Sequence, residues 1–238
     1  MNIKIGLLAI CCFCSALLVA QQSAHELLDK SIAFHDAADN WKKLKTSLTF
    51  KVVQPDKSDG QREVSINNKK QTFTFEAQYD EGTLTYEVRK NKGAAKWNNQ
   101  DEIPVEMAKK YRISAERAVM YRDYYTYLYG MPMKLKDAGT IIDPQVKQVD
   151  FYGKKYNRIR VTYTENVGED IWYFYFNPTT NALEAYQFFH DESKNDGEYI
   201  LFEELMEVQK IKIPSIRKWY YNKDEQFLGT DILLKATK

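Results

Sequence analysis

At 238 residues the chain is long enough for one large domain with a substantial core. Its aromatic content of 14%, against only 10 Gly and 6 Pro, excludes a disordered chain and favours a β-rich fold. Basic and acidic side chains nearly cancel, 34 against 33, which excludes the electrostatic footprint of a nucleic-acid-binding protein.

Residues 1–20 carry a positive start at Lys4, then an apolar run, then the small Ala20 before Gln21 and Gln22. That is the grammar of a cleaved secretory signal peptide, and the run is too short for a membrane span. Cys11, Cys12 and Cys14 all lie inside it. A lipoprotein cleavage site needs a small residue immediately before the cysteine, and Ile10, Cys11 and Phe13 stand there instead. The expectation is a periplasmic or secreted chain cleaved near Ala20. It has no lipid anchor, no transmembrane span and no cysteine, and it forms one domain over 21–238. Loss of Lys4 leaves 33 basic and 33 acidic side chains.

Ser23 and Glu26 form a capping box, and Ala24, Leu27, Leu28 and Ile32 follow at helical spacing, predicting an amphipathic helix that ends within 35–40. The pattern then switches to period two at Leu48, Phe50, Val52; Val64, Ile66; Phe73, Phe75, Ala77; and Leu84, Tyr86, Val88. Polar turns separate these runs at the spacing of an antiparallel meander. Residues 104–129 read as one or two helices, with Ser114 as an N-cap. Ala118, Tyr121, Tyr125 and Leu128 form a stripe that Met120, Tyr124 and Tyr127 widen. Gly130 is expected to stop this helix and Pro132 to turn the chain away. Strands resume over 146–152, 156–164, 171–176, 183–190, 199–208, 210–213, 216–221 and 231–235. In 171–176 both faces are apolar, with Ile171, Tyr173 and Tyr175 opposite Trp172, Phe174 and Phe176, so both must be covered or one must line a cavity.

The sum is an α+β fold: a large curved antiparallel sheet with an N-terminal helix and a central helical insert packed on its concave face. The candidate ligand-binding residues are Tyr124, Tyr125, Leu128, Tyr129, Met131 and Met133, facing Trp172, Phe174 and Phe176. One helical phase puts Tyr125 and Leu128 on the sheet and Tyr124, Tyr129 and Met131 on a hollow. His35, Asp36 and Asp39 have permissive metal-ligand spacing, but such groups at a helix end are more often caps, so no metal and no cofactor is expected. Residues 217–221 mix cations with aromatics, two followed by three, read as a strand whose cations snorkel to solvent.

The runs YYTYLYGMPMKLKDAGT, GEDIWYFYFNP, FFHDESKNDGEYI and KIKIPSIRKWYYNKDEQFLGTDI resemble an uncharacterised family of secreted proteins of Gram-negative envelopes. The fold of that family resembles the lipoprotein-localisation carriers LolA and LolB, an incomplete barrel over helices with an apolar hollow for acyl chains. The resemblance implies a non-catalytic envelope protein that binds a lipid, an acyl chain or another hydrophobic ligand, with an envelope protein as a further partner. Two other readings compete with it. One is a structural or partner-binding protein with a filled core; the other is a hydrolase or lyase using His35 and Asp36.

Overall fold

The computed structural model describes residues 22–55 and 57–238; the expected leader lies outside the described residues. The alternating runs form two antiparallel meanders. The first holds β1 (Lys45–Val53), β2 (Gly60–Asn67), β3 (Thr72–Tyr79), β4 (Gly82–Arg89) and β5 (Lys92–Trp97). The second holds β8 (Lys154–Tyr163), β9 (Ile171–Phe176), β10 (Leu183–Phe189), β11 (Glu198–Val208), β12 (Ile211–Tyr221) and β13 (Phe227–Thr237). Pairing of β13 with β1 joins them into one 13-stranded sheet. The short strands β6 (Thr140–Ile142) and β7 (Lys147–Phe151) lie end to end along β8. The sheet curls but does not close: its edges are β5 on one side and β6 with β7 on the other.

The concave face is the apolar one. Phe50, Phe73, Phe75 and Tyr86 from the first meander and Ile159, Phe174, Tyr186 and Ile200 from the second are all buried there. On the convex side Tyr156, Tyr175 and Ala185 form a second, smaller cluster that Phe151 covers, its ring 4.2 Å from that of Tyr175. Both faces of β9 are thus covered, which accounts for its unbroken apolar sequence.

Helix α1 (Ala24–His35) starts with both hydrogen bonds of its capping box in place. Helix α2 (Val105–Lys110) is short, and α3 (Ala115–Gly130) begins where Ser114 accepts a hydrogen bond from the Arg117 amide. The helix stops at Gly130, as expected, and Gly130 is its last residue. A Cβ there would lie 2.5 Å from the Trp41 ring, so the glycine serves a close approach. A cis Met131–Pro132 peptide follows.

The runs read as separate strands at 210–213 and 216–221 are one strand, β12. Pro214 fits inside it because β13 parts from β12 beyond Ile216 and pairs only with β1. At the freed end Lys212 offers its carbonyl to His35 Nδ1 at 2.7 Å, while His35 Nε2 accepts the Leu183 amide at 3.0 Å. Asp36 accepts from the Asn40 and Trp41 amides at 2.8 and 2.7 Å. His35 is therefore spent on holding α1 to the sheet and Asp36 on closing the turn that follows α1, and burial keeps the His35 pKa below its ordinary value.

Candidate functional site

A helix lying in a curled sheet presents one side to the strands and two flanks to whatever space remains. Helix α3 leans on β3, β4 and β5, so its sheet side is filled. The Phe75 ring lies 4.7 Å from Tyr121 and 5.6 Å from Tyr125, and Phe50 lies 4.9 Å from Tyr129. Its other flank, toward the second meander, borders an open cleft of 910 Å³.

The adjacent tyrosines mark the boundary. Tyr125 is 3% exposed and packed on the first meander; Tyr124, about 100° round the helix, is 42% exposed and forms part of the cleft wall. Its ring stacks on Trp219 of β12 at 6.1 Å. Tyr127 turns the same way, its ring 5.0 Å from Trp172, which stacks in turn on Phe188 at 4.8 Å. The Tyr127 hydroxyl bonds the Tyr163 hydroxyl at 2.5 Å, and burial pushes both phenols up, Tyr163 to about 12. Both stay neutral at physiological pH. Gly229, the cross-strand partner of Trp219, runs close to β1; a Cβ on it would lie 2.7 Å from the Val53 carbonyl oxygen.

Of the residues expected to contact a ligand, Tyr124, Leu128 and Trp172 line the cleft. Tyr125, Tyr129, Met131, Met133, Phe174 and Phe176 are buried in the core behind its walls. Tyr129 follows Tyr125 by one helical turn, rings stacked at 5.9 Å, so the two share the sheet side. Met131 and Met133 sit where the chain folds back from α3 into the core, and Phe174 and Phe176 lie deeper along β9 than Trp172. Tyr127, Phe188 and Trp219 were not singled out from the sequence as ligand contacts. The signal for Phe188 and Trp219 was present: each is the inward-facing residue of its strand one step nearer the open end.

Charge is distributed in two zones. At the rim His190 Nδ1 and Asp170 Oδ1 are 2.6 Å apart, a bond that raises the His190 pKa, and Asp123 pairs with Arg122 at 2.8 Å. Burial raises the pKa of the nearby Glu198. Deeper lie Arg62 and Asp231, with Arg217 behind them. Arg217 does not snorkel: it is 1% exposed, points inward, and its guanidinium lies 3.7 Å from the Tyr129 ring centroid. Among the described residues no cluster of His, Cys, Asp or Glu is arranged to hold a metal ion. No helix among them is long and apolar enough to cross a membrane.

The fold is shared with solved structures at very low identity. A LolA superfamily protein from Nitrosomonas europaea superposes with a TM-score of 0.54 at 9% identity, covering 91% of this chain and 93% of the other. A domain assigned to outer membrane lipoprotein sorting, from Vibrio parahaemolyticus, gives 0.53 at 9% identity, covering 89% and 90%. The expected LolA-like architecture is the one observed. No curated protein matches the sequence. Residues 3–236 match the model of DUF6503, a family of unknown function, and the chain belongs to that family.

Proposed function

We propose that this protein is a non-catalytic carrier of the cell envelope, binding a lipid or acyl chain in the cleft between α3 and the second meander. The observation that carries the reading is a 910 Å³ cleft walled by Tyr124, Tyr127, Leu128, Trp172, Phe188 and Trp219. Ligand pockets span roughly 300–1,000 Å³ and are walled mainly by apolar and aromatic groups. The fold supports it, since the similar structures include a LolA superfamily protein and a lipoprotein-sorting domain. The leader-like start of the sequence supports export to the periplasm with cleavage near Ala20, leaving one mature domain over 21–238. In this reading the buried set Tyr125, Tyr129, Met131, Met133, Phe174 and Phe176 stiffens the walls, and Tyr124, Leu128 and Trp172 touch the ligand.

Titration with the neutral fluorescent probe N-phenyl-naphthylamine tests it. Saturable binding at one site is expected, reversed by a long-chain fatty acid. Tyr124→Ala is expected to weaken it about tenfold, an aromatic contact at the centre of a site contributing ~1–2 kcal/mol. A folded protein that shows no saturable binding, or binding indifferent to Tyr124, overturns the carrier reading in favour of a structural role.

A further inference from the structure

The inner face of the sheet is largely apolar, and two arginines and an aspartate lie along one row of it. Arg217 and Asp231 are cross-strand partners on β12 and β13, Asp231 pairs in turn with Val52 of β1, and Arg62 of β2 sits opposite Phe50. Two guanidinium groups therefore share one carboxylate. Among the described residues neither guanidinium has a carboxylate oxygen within 4.0 Å. Arg62 donates one long bond, 3.4 Å, to the Tyr125 hydroxyl, and Arg217 donates to the Pro214 carbonyl at 2.8 Å while its Nε has no partner. A partly buried cation without a close counter-ion has donors to spare in a medium that strengthens any anion brought to it.

The position of Arg62 gives this a direction. It lines the aromatic cleft, and it also lines a second cleft of 790 Å³ bordered by Lys57, Asp59, Asp80, Glu81, Lys110 and Tyr111. Val52, Gln54 and Arg62 are common to both, so the arginine stands where the apolar space opens onto a polar one. An amphiphile laid in the first cleft has its polar end there. Apart from Asp231, the neighbouring acids are engaged or face outward: Asp59 pairs with Lys51 at 2.7 Å, Glu81 with Lys110, and Glu63, Glu76 and Asp80 are exposed. At the other end Asp123 and Asp170 are paired with Arg122 and His190.

We infer that the ligand of this cleft is an acid-headed amphiphile, its anionic group seated on Arg62 and its chain running between Tyr124, Trp219 and Trp172. The inference rests on the carrier reading and adds the chemistry of the head group. A planar guanidinium pairs a carboxylate or a phosphate through two parallel hydrogen bonds, so free fatty acids and monoalkyl phosphates share the recognition.

Displacement of bound N-phenyl-naphthylamine by dodecanoic acid, dodecyl phosphate, methyl dodecanoate and dodecyltrimethylammonium, all below their micelle concentrations, tests it. The wild type is expected to bind one or both acids about 10- to 100-fold more tightly than the ester, the range for a hydrogen-bonded charge. The relative strength of carboxylate and phosphate identifies the source. Arg62→Gln is expected to bring the affinity for the acids down to that for the ester, abolishing the preference, and Arg62→Lys to restore part of it. Asp231→Asn, which leaves both arginines unopposed, is expected to increase it and serves as the test should Arg62→Gln fail to fold. Equal affinity for acids and ester, tighter binding of the ammonium compound, or a preference indifferent to Arg62 overturns the head-group inference with the carrier reading intact. Failure of the probe itself to bind overturns both.

Discussion

The two meanders are built from the same kinds of residue and meet the same helix, yet one is filled and the other is open. On the first, Phe50, Phe73 and Phe75 close against Tyr121, Tyr125 and Tyr129 with ring separations of 4.7 to 6.2 Å. On the second, Trp172 and Trp219 meet only the flank of α3, through Tyr127 and Tyr124, Phe188 stacks on Trp172, and a cleft remains. Aromatic composition is therefore no guide to which wall is core and which is pocket. What separates them is the side of the helix that each sees, and neighbouring residues such as Tyr124 and Tyr125 fall on opposite sides of that divide.

The comparison breaks most directly at Phe75. Truncating this buried ring in Phe75→Ala is expected to cost about 3 to 5 kcal/mol in denaturant unfolding. Tyr124→Ala, which loses a half-exposed ring and one stack, is expected to cost about 1 kcal/mol. Equal losses would mean that the cleft wall is as tightly packed as the core. At the end of the same helix, Gly130→Ala presses a methyl group into the Trp41 ring and is expected to cost about 1 to 3 kcal/mol by thermal or chemical unfolding, with probe binding retained. A neutral substitution there would show that Trp41 can move aside.

The smallest effect, and the one that sharpens the comparison by sign, is pH. His35 lies at the filled end with its pKa depressed by burial; protonating Nε2 would also set a donor against the Leu183 amide. Its contribution to stability is complete above 6.5, the ordinary imidazole value, and is lost as pH falls below it. His190, at the open rim, has its pKa raised by Asp170; its contribution is present below 6.5 and is lost as pH rises through the folded value. Unfolding midpoints from acid to neutral pH should fall on acidification in the wild type and flatten in His35→Gln. His190→Gln should leave the acid limb intact and remove a smaller, opposite slope. A slope unchanged in His35→Gln would assign the acid sensitivity to other groups.

Much of the architecture was legible because it is written in period and punctuation. The capping box at Ser23 and Glu26, the cap at Ser114 and the alternation through β1 to β4 each depend on neighbours in the chain. The phase of α3 was legible in part. The stripe through Ala118, Tyr121, Tyr125 and Leu128 puts Tyr125 on the strands and Tyr124 on the hollow, as found, but apolar residues encircle the helix, so the same reading set Tyr129 on the hollow, and it is the approach of β3, β4 and β5 that turns it inward. Met131 and Met133, flanking a proline just after the helix, invited a ligand-facing role, and the fold turns them inward instead. The continuity of β12 through Pro214 was hidden for a related reason: a proline reads as a break unless it is known that the neighbouring strand has already left. The inward Arg217 belongs with these, since an arginine among aromatics reads as solvent-facing until its strand register is fixed.

In a closed barrel the number of strands and their stagger fix the radius, and the bore is a property of the backbone. Here the ladder stops at β5 on one side and at β6 and β7 on the other, so no such condition ties backbone to bore. The gauge of the hollow is then written in side chains, in the girth of α3 and the rings it holds off the second meander. Relatives that share this sheet can be tuned to thin or bulky cargo by exchanging a few residues on one helical flank, without adding or removing a strand.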